Sequence, residues 1–289
     1  MVEIEPGYFQ VNSFEDVREY TQALFASRGV DTLYKLRYWR ERYHPEFLRD
    51  GEIYFSKPNE LNDPFDINRP LNIHIDEIKS QAFYKRLVET APEVLGVKPG
   101  HEAEQAARAQ QERLLSNPQE ELLSNFHNLI NDPQYNNSIG VLSLSTKIDD
   151  EQLWGYYGGA LRGYAVGFDP MKLSEELFSY CNYVNYTDTV PVTKLINKSR
   201  KEMQDAWFDK NQCWGFESEF RYVRAVFDET RRKHNYAPDT VKEIVLGPRI
   251  VSEDRAAIID LARRRYPNAA VLQMNVDYIK GKMVPERIR

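Results

Sequence analysis

Glu217 and Glu219, with Arg221 two positions on, stand in the block WGFESEFRY at 214–222, and their spacing is the one most open to chemistry. Residues 214–227 (WGFESEFRYVRAVF) are rich in aromatic and β-branched types, which predicts a strand. Alternation then puts Trp214, Phe216, Ser218, Phe220 and Tyr222 on one side, the expected core, and Glu217, Glu219 and Arg221 on the other. Carboxylates at i and i+2 are roughly 6.5–7 Å apart, close enough to interact and far enough to grip different atoms of one ligand. Like charges raise the pKa of a partly buried carboxyl, so the pair suits acid, base or cation-stabilising work. The same pattern also makes a solvated face or an internal ion-pair network with Arg221 as counter-charge.

Other residues have two readings each. Tyr34, Tyr54 and Trp154 can stack on the flat ring of a ligand or simply fill an aromatic core. Asn62, Asp63 and Asp66, in the stretch NELNDPFDINRP at 59–70, can contact a ligand or cap a turn by bonding their own backbone. His44, near Arg37, is a candidate local acid or base; His74, His101, His127 and His234 are scattered, and with only Cys181 and Cys213 present no metal-ligand spacing occurs, so no metal is expected. Gly158-Gly159 lacks both the Walker ending and the dinucleotide fingerprint, and no Gly-X-Ser-X-Gly elbow is present.

These side chains need elements to hold them. Phe14, Val17, Tyr20 and Leu24 recur at helical spacing over 14–29, with Ser13 as N-cap and Gly29 as stop. TLYKLRYW at 32–39 and EIYFS at 52–56 read as strands, as do IGVLSLST at 139–146 and YAVGFD at 164–169, the last two joined by a segment with Trp154, Tyr156 and Tyr157. The chain closes on strand 241–246, helix 253–266 and strand 270–279. From Ile75 to about Asn131 it is helical and charged, and Glu102–Ser116 has so few large apolar residues that it packs only along a thin stripe. The expectation is a single α+β domain over 1–289, with a helical insertion at 71–135 and no repeats.

Composition bounds the partners. Of 289 residues, 42% are hydrophobic and 28% charged, an ordinary globular balance. No run reaches the roughly 18 apolar residues of a membrane span, and the opening MVEIEPGYFQ lacks a basic-then-apolar leader, so no membrane association and a cytoplasmic, reducing setting are expected. The net charge of -6 argues against a uniformly basic nucleic-acid-binding surface, yet Lys194, Lys198, Arg200 and Lys201, and then Arg231, Arg232 and Lys233, form local basic patches.

In order, LYKLR at 33–37, IYFSKPNELNDPFD at 53–66, LSLST with DDEQLWGYYGGALRGYAVGFD up to Asp169, WGFESEFR at 214–221 and KEIVLGPRI at 242–250 resemble the domain of unknown function 2971 family, a mainly bacterial group. The blocks span most of the chain, with Tyr156 where many relatives carry histidine. The order also looks like a degenerate ADP-ribosyltransferase, which implies a mixed or antiparallel sheet core of that fold with a helical insertion. By that resemblance Arg37 or Lys35 holds the phosphates or ribose of NAD, Ser56 orders the nicotinamide side, Glu219 is the catalytic glutamate and Glu217 activates the nucleophile. Tyr34, Asn62, Asp63, Trp154 and Tyr157 complete the implied NAD-binding set, and Arg221 is a substrate contact. The implied activity is transfer of ADP-ribose from NAD to a nucleic-acid or protein acceptor, as in a toxin or phage-defence effector with a neutralising antitoxin partner. The alternative is a nucleic-acid-binding or -processing module, in which aromatic residues stack bases and Arg221, Arg224, Lys194 and Lys198 neutralise phosphate.

Overall fold

The computed structural model describes residues 14–67, 75–118, 120–121, 124, 131–189, 207–226 and 228–288. Helix α1 (Phe14–Arg28) opens with Glu15 and Asp16 and ends with Arg28, charges that complement its dipole, and Gly29 at φ 62° stops it. Strand β1 (Leu33–Arg37), helix α2 (His44–Arg49) and strand β2 (Glu52–Tyr54) follow. The charged helical stretch contains α3 (Ile75–Lys79), α4 (Gln81–Leu95), capped by the Ser80 hydroxyl, and α5 (His101–Ser116). The thin stripe expected on α5 is Ala103, Ala107 and Leu114. Next come α6 (Pro133–Ser138), β3 (Ile139–Ser145), α7 (Glu151–Tyr157), β4 (Tyr164–Phe168), α8 (Pro170–Leu177) and β5 (Tyr180–Tyr183). The short strands β6 (Asn185–Thr187) and β7 (Asp209–Asn211) precede β8 (Glu219–Ala225), β9 (Lys233–Asn235), β10 (Val241–Leu246), α9 (Ser252–Arg265), β11 (Ala270–Asp277) and β12 (Lys282–Arg287).

The chain divides into two compact units, one of Met1–Lys57, Asn137–Tyr186 and Gln212–Arg289, the other of Pro58–Asn136 and Thr187–Asn211. The first is α+β. Its eight-stranded mixed sheet runs β12-β11-β10-β4-β1-β3-β8-β5, with β10 and β11 parallel and every other neighbouring pair antiparallel. The parallel pair is joined through α9, as a parallel connection requires. One face buries Leu33, Leu142, Leu144, Phe168, Phe220 and Tyr222 under residues of α1, α2, α8 and α9. The opposite face buries Leu36, Ala165, Val245 and Met274 with Leu153 and Trp154 of α7. With helices on both faces, β3 and β4 are buried almost throughout, so neither shows the polar and apolar alternation of a half-exposed strand.

The second unit holds α3, α4 and α5, which share the small core of Ile78, Phe83 and Leu114. In the same unit the Asn-Asp-Pro stretch is a turn: the Asp63 carboxylate accepts from the Phe65 N–H at 2.9 Å, and the Asp63 carbonyl accepts from the Asp66 N–H. Asp66 is buried and paired with buried Lys210 at 3.2 Å.

The strand expected over 214–227 is shorter than its composition suggests. Gln212–Glu217 is a 3₁₀ turn, Ser218 has a left-handed φ of 44°, and only Glu219–Ala225 joins the sheet. Trp214, Phe216 and Glu217 therefore do not alternate with the strand residues, and the expected shared face of Glu217 and Glu219 does not exist. Phe220 and Tyr222 do enter the core, as alternation demands.

Backbone crowding fixes the entry to β4. Gly163 accepts from the Gly247 N–H and donates to the Gly158 carbonyl, and a Cβ there would run into the carbonyl oxygens of Arg37 and, at 2.9 Å, Gly158. Gly163→Ala is expected to destabilise the fold by about 2 kcal/mol, because backbone on both sides cannot retreat as a side chain can. A denaturation midpoint equal to that of the parent protein would remove this explanation.

Candidate functional site

Glu219 begins β8 directly after the left-handed Ser218, and that turn is clamped to the end of β3. The Ser218 carbonyl accepts from both the N–H and the hydroxyl of Thr146 at 3.0 Å, and the Glu217 carbonyl accepts from the Ser145 hydroxyl at 2.7 Å. The Ser145 hydroxyl oxygen in turn accepts from the Lys147 N–H. On the other side, the Glu219 N–H donates to the Tyr186 hydroxyl at 2.9 Å and its carbonyl accepts from Val184. A non-glycine residue at this φ costs on the order of 1–2 kcal/mol, and such strain persists only where its surroundings over-determine it. Ser145 and Thr146, at the end of LSLST, supply that restraint.

The Glu219 carboxylate receives two hydrogen bonds from Arg221, from Nε at 2.7 Å and Nη2 at 2.9 Å, and both side chains are almost wholly buried. This side-on pairing fixes the carboxylate plane as well as its charge. Across the sheet, Tyr34 pairs with Ser145 and Ser145 with Glu219, so the three lie in one row on one face, Tyr34 and Glu219 about 10 Å apart. At this end of the sheet is a cavity of about 590 Å³. Arg28, Tyr34, Lys147, Tyr183, Tyr186, Ser218 and Glu219 are among its walls. Arg28 lies over the Tyr183 ring at 4.0 Å, and burial pushes the Tyr183 hydroxyl up to about 12. Tyr34 donates to Glu243 at 2.7 Å, and burial followed by that carboxylate raises its pKa well above the ordinary value.

The remaining residues singled out by sequence do not gather here. Lys35 and Arg37 alternate away from Tyr34 and project from the opposite face of β1. Lys35 donates to the Ser143 carbonyl, and Arg37 sits 5.2 Å from the Phe47 ring, its pKa lowered by burial. Ser56 bridges β3 at Val141, four residues and roughly 13 Å along the strand from the Ser145–Glu219 row. Glu217 is buried, but its carboxylate accepts from the Tyr157 hydroxyl and is not part of the cavity wall. Trp154 is fully buried and donates to the Ile148 carbonyl at 2.6 Å, a core role that leaves no face for a ligand. Asn62 and Asp63 belong to the second unit, where Asp63 caps its turn. Arg28, Lys147, Tyr183, Tyr186 and Ser218 are not marked by sequence; the signals close to them are the polar end of LSLST and, for Ser218, the adjoining Glu219.

Tyr156, Trp214 and Phe216 make a partly exposed aromatic group, Tyr156 stacked on Phe216 at 5.4 Å and 66% exposed. The basic patch at 231–233 is spent internally: Arg231 pairs with Asp228, Lys233 with Glu52, and buried Arg232 donates to the carbonyls of Phe55, Asn137 and Ile139. Lys194, Lys198, Arg200 and Lys201 lie outside the described residues. Among the described residues there is no group of three or more His, Cys, Asp or Glu that could hold a metal, and no helix is long and apolar enough to cross a membrane. Comparison of the chain with protein-family models, with curated proteins and with solved structures gives no match in any of the three.

Two outcomes follow from this geometry. Arg221→Met removes the two-pronged arginine contact from the buried Glu219 carboxylate and is expected to cost about 3 kcal/mol, read from chemical denaturation. His44 behaves as a neutral ring. Its Nδ1 accepts from the Tyr38 N–H at 3.2 Å, and burial, then the charges of Arg37 and Lys35, bring its pKa down to about 4. An unfolded histidine titrates at about 6.5, so this stabilisation is complete above that pH and is lost as pH falls toward 4. His44→Asn is expected to flatten the fall in Tm between pH 7 and 5; an unchanged acid profile would exclude His44 as its source.

Proposed function

We propose that this protein is an ADP-ribosyltransferase-like enzyme that takes ADP-ribose from NAD, with its chemistry at the Glu219 cavity. The observation that carries the reading is a buried carboxylate held by Arg221, set after a strained and clamped turn, and opening on a cavity of small-molecule size. Breaking the bond between nicotinamide and ribose sends the bonding electrons to nicotinamide and leaves positive charge on the sugar. A carboxylate fixed beforehand offsets that charge without reorganising during the reaction. The acceptor then bonds to the sugar carbon and releases its proton.

The walls suit such a substrate. Tyr34, Tyr183 and Tyr186 offer aromatic surface, while Arg28 and Lys147 have no carboxylate partner among the described residues and suit a diphosphate. In this reading Arg28 and Lys147 take the anion-binding part that Arg37 and Lys35 were expected to play. A macromolecular acceptor, and a setting as a toxin or phage-defence effector with a neutralising partner, belong to the same proposal. Purified protein incubated with NAD, with and without cellular RNA, DNA or protein, is expected to release nicotinamide. Glu219→Gln should lower that rate at least 100-fold, the scale on which removing one pre-set electrostatic group acts. No release with any acceptor would end the enzymatic reading.

A second reading, nucleic-acid binding without NAD chemistry, is favoured by the exposed Tyr156 ring stacked on Phe216, since ring faces of this kind accept bases. Its mark is oligonucleotide binding that weakens steeply with salt, falls with Tyr156→Ala and survives Glu219→Gln.

A further inference from the structure

Six residues with hydroxyl groups line the cavity: Thr32, Tyr34, Thr146, Tyr183, Tyr186 and Ser218. Five of them are committed within the protein. Thr32 donates to the Asp31 carboxylate, Tyr34 to Glu243, Thr146 to the Ser218 carbonyl and Tyr183 to the Leu24 carbonyl, while Tyr186 accepts from the Glu219 N–H. The Ser218 hydroxyl makes no hydrogen bond among the described residues, although the Ser218 backbone N–H and carbonyl are both engaged.

The backbone at Ser218 makes this more telling. At φ 44° glycine is the residue of least strain, and the turn already contains a glycine three positions earlier at Gly215. Serine at this point costs stability relative to glycine and gains no side-chain hydrogen bond among the described residues. What it adds is one donor, half-buried in the cavity wall and covalently next to Glu219. Strain held in place at a wall residue, with the side chain uncommitted, is the arrangement expected of a group kept for a ligand.

We infer that Ser218 is a ligand-contacting residue whose hydroxyl binds a polar atom of the sugar portion of a nucleotide seated beside Glu219. This rests on the NAD reading above for the identity of the ligand. The bond is of the ordinary neutral kind, and its donor is lost in both Ser218→Ala and Ser218→Gly. The two variants differ in strain, because alanine keeps the left-handed penalty and glycine relieves it.

ADP-ribose, which cannot lose nicotinamide, separates binding from turnover. Isothermal titration of the full chain with ADP-ribose is expected to show about tenfold weaker binding for both variants than for the parent protein, the effect of one hydrogen bond in a desolvated site. Thermal melting is expected to place Ser218→Gly about 2–4 °C above Ser218→Ala, so the more stable variant is as defective as the less stable one. Parent-like ADP-ribose affinity in both variants, with nicotinamide release still lost in Glu219→Gln, overturns the role of Ser218 and leaves the enzymatic reading standing. Serine-dependent ADP-ribose binding with no nicotinamide release in any condition keeps Ser218 as a ligand contact and overturns the transferase. A parent protein that neither binds ADP-ribose nor releases nicotinamide overturns both.

Discussion

The pairing of Glu219 with Arg221 is the constraint around which this end of the sheet is arranged. Two charged groups sit almost wholly out of water on one face of β8, and each is tolerable there because the other is present. Residues two apart on a strand share a face, so local alternation brings the pair together. What keeps them in register with the cavity is tertiary. β3 on one side and β5 on the other lock β8 along its length, and the clamp from Ser145 and Thr146 sets where the strand starts. Shifting that start by one residue would send both charges into the apolar layer of Phe25, Leu144 and Tyr183.

Much of this architecture is written in periodicity. β1, β3, β4, β10, α9 and β11 fall where strand composition or helical spacing puts them, each with ordinary turn residues at its ends. The turn at Asp63 was readable for a similar reason, since Asn-Asp-Pro satisfies its own backbone. The stretch 214–218 was not. Tryptophan, phenylalanine and glutamate have the composition of a strand, and nothing local announces that Ser218 turns left-handed; that geometry is imposed by hydrogen bonds from β3, some seventy residues away.

Two residues of the candidate site, Tyr34 and Glu219, were legible in the sequence, and their neighbours were hidden. Glu219 could be singled out by its type and its arginine two positions on. Which other side chains it meets depends on the order β1-β3-β8, and that order is not a local property. Once it is known, alternation decides the matter: Tyr34 shares the face of Glu219, whereas Lys35 and Arg37 look the other way. Arg28 and Tyr183 come from a helix end and a strand end with no shared motif, so only the folded chain brings them together.

The unit that carries the cavity is assembled from three stretches of chain, with two excursions between them. During synthesis β1 leaves the ribosome long before β3 or β4 exists to pair with it, and β8 emerges later still. The early strands must wait with open edges while a long intervening stretch is made, a slow and exposed route to the native state. A nascent chain therefore has no assembled pocket until most of the polypeptide has been translated, and truncated products ending before β8 lack the carboxylate altogether.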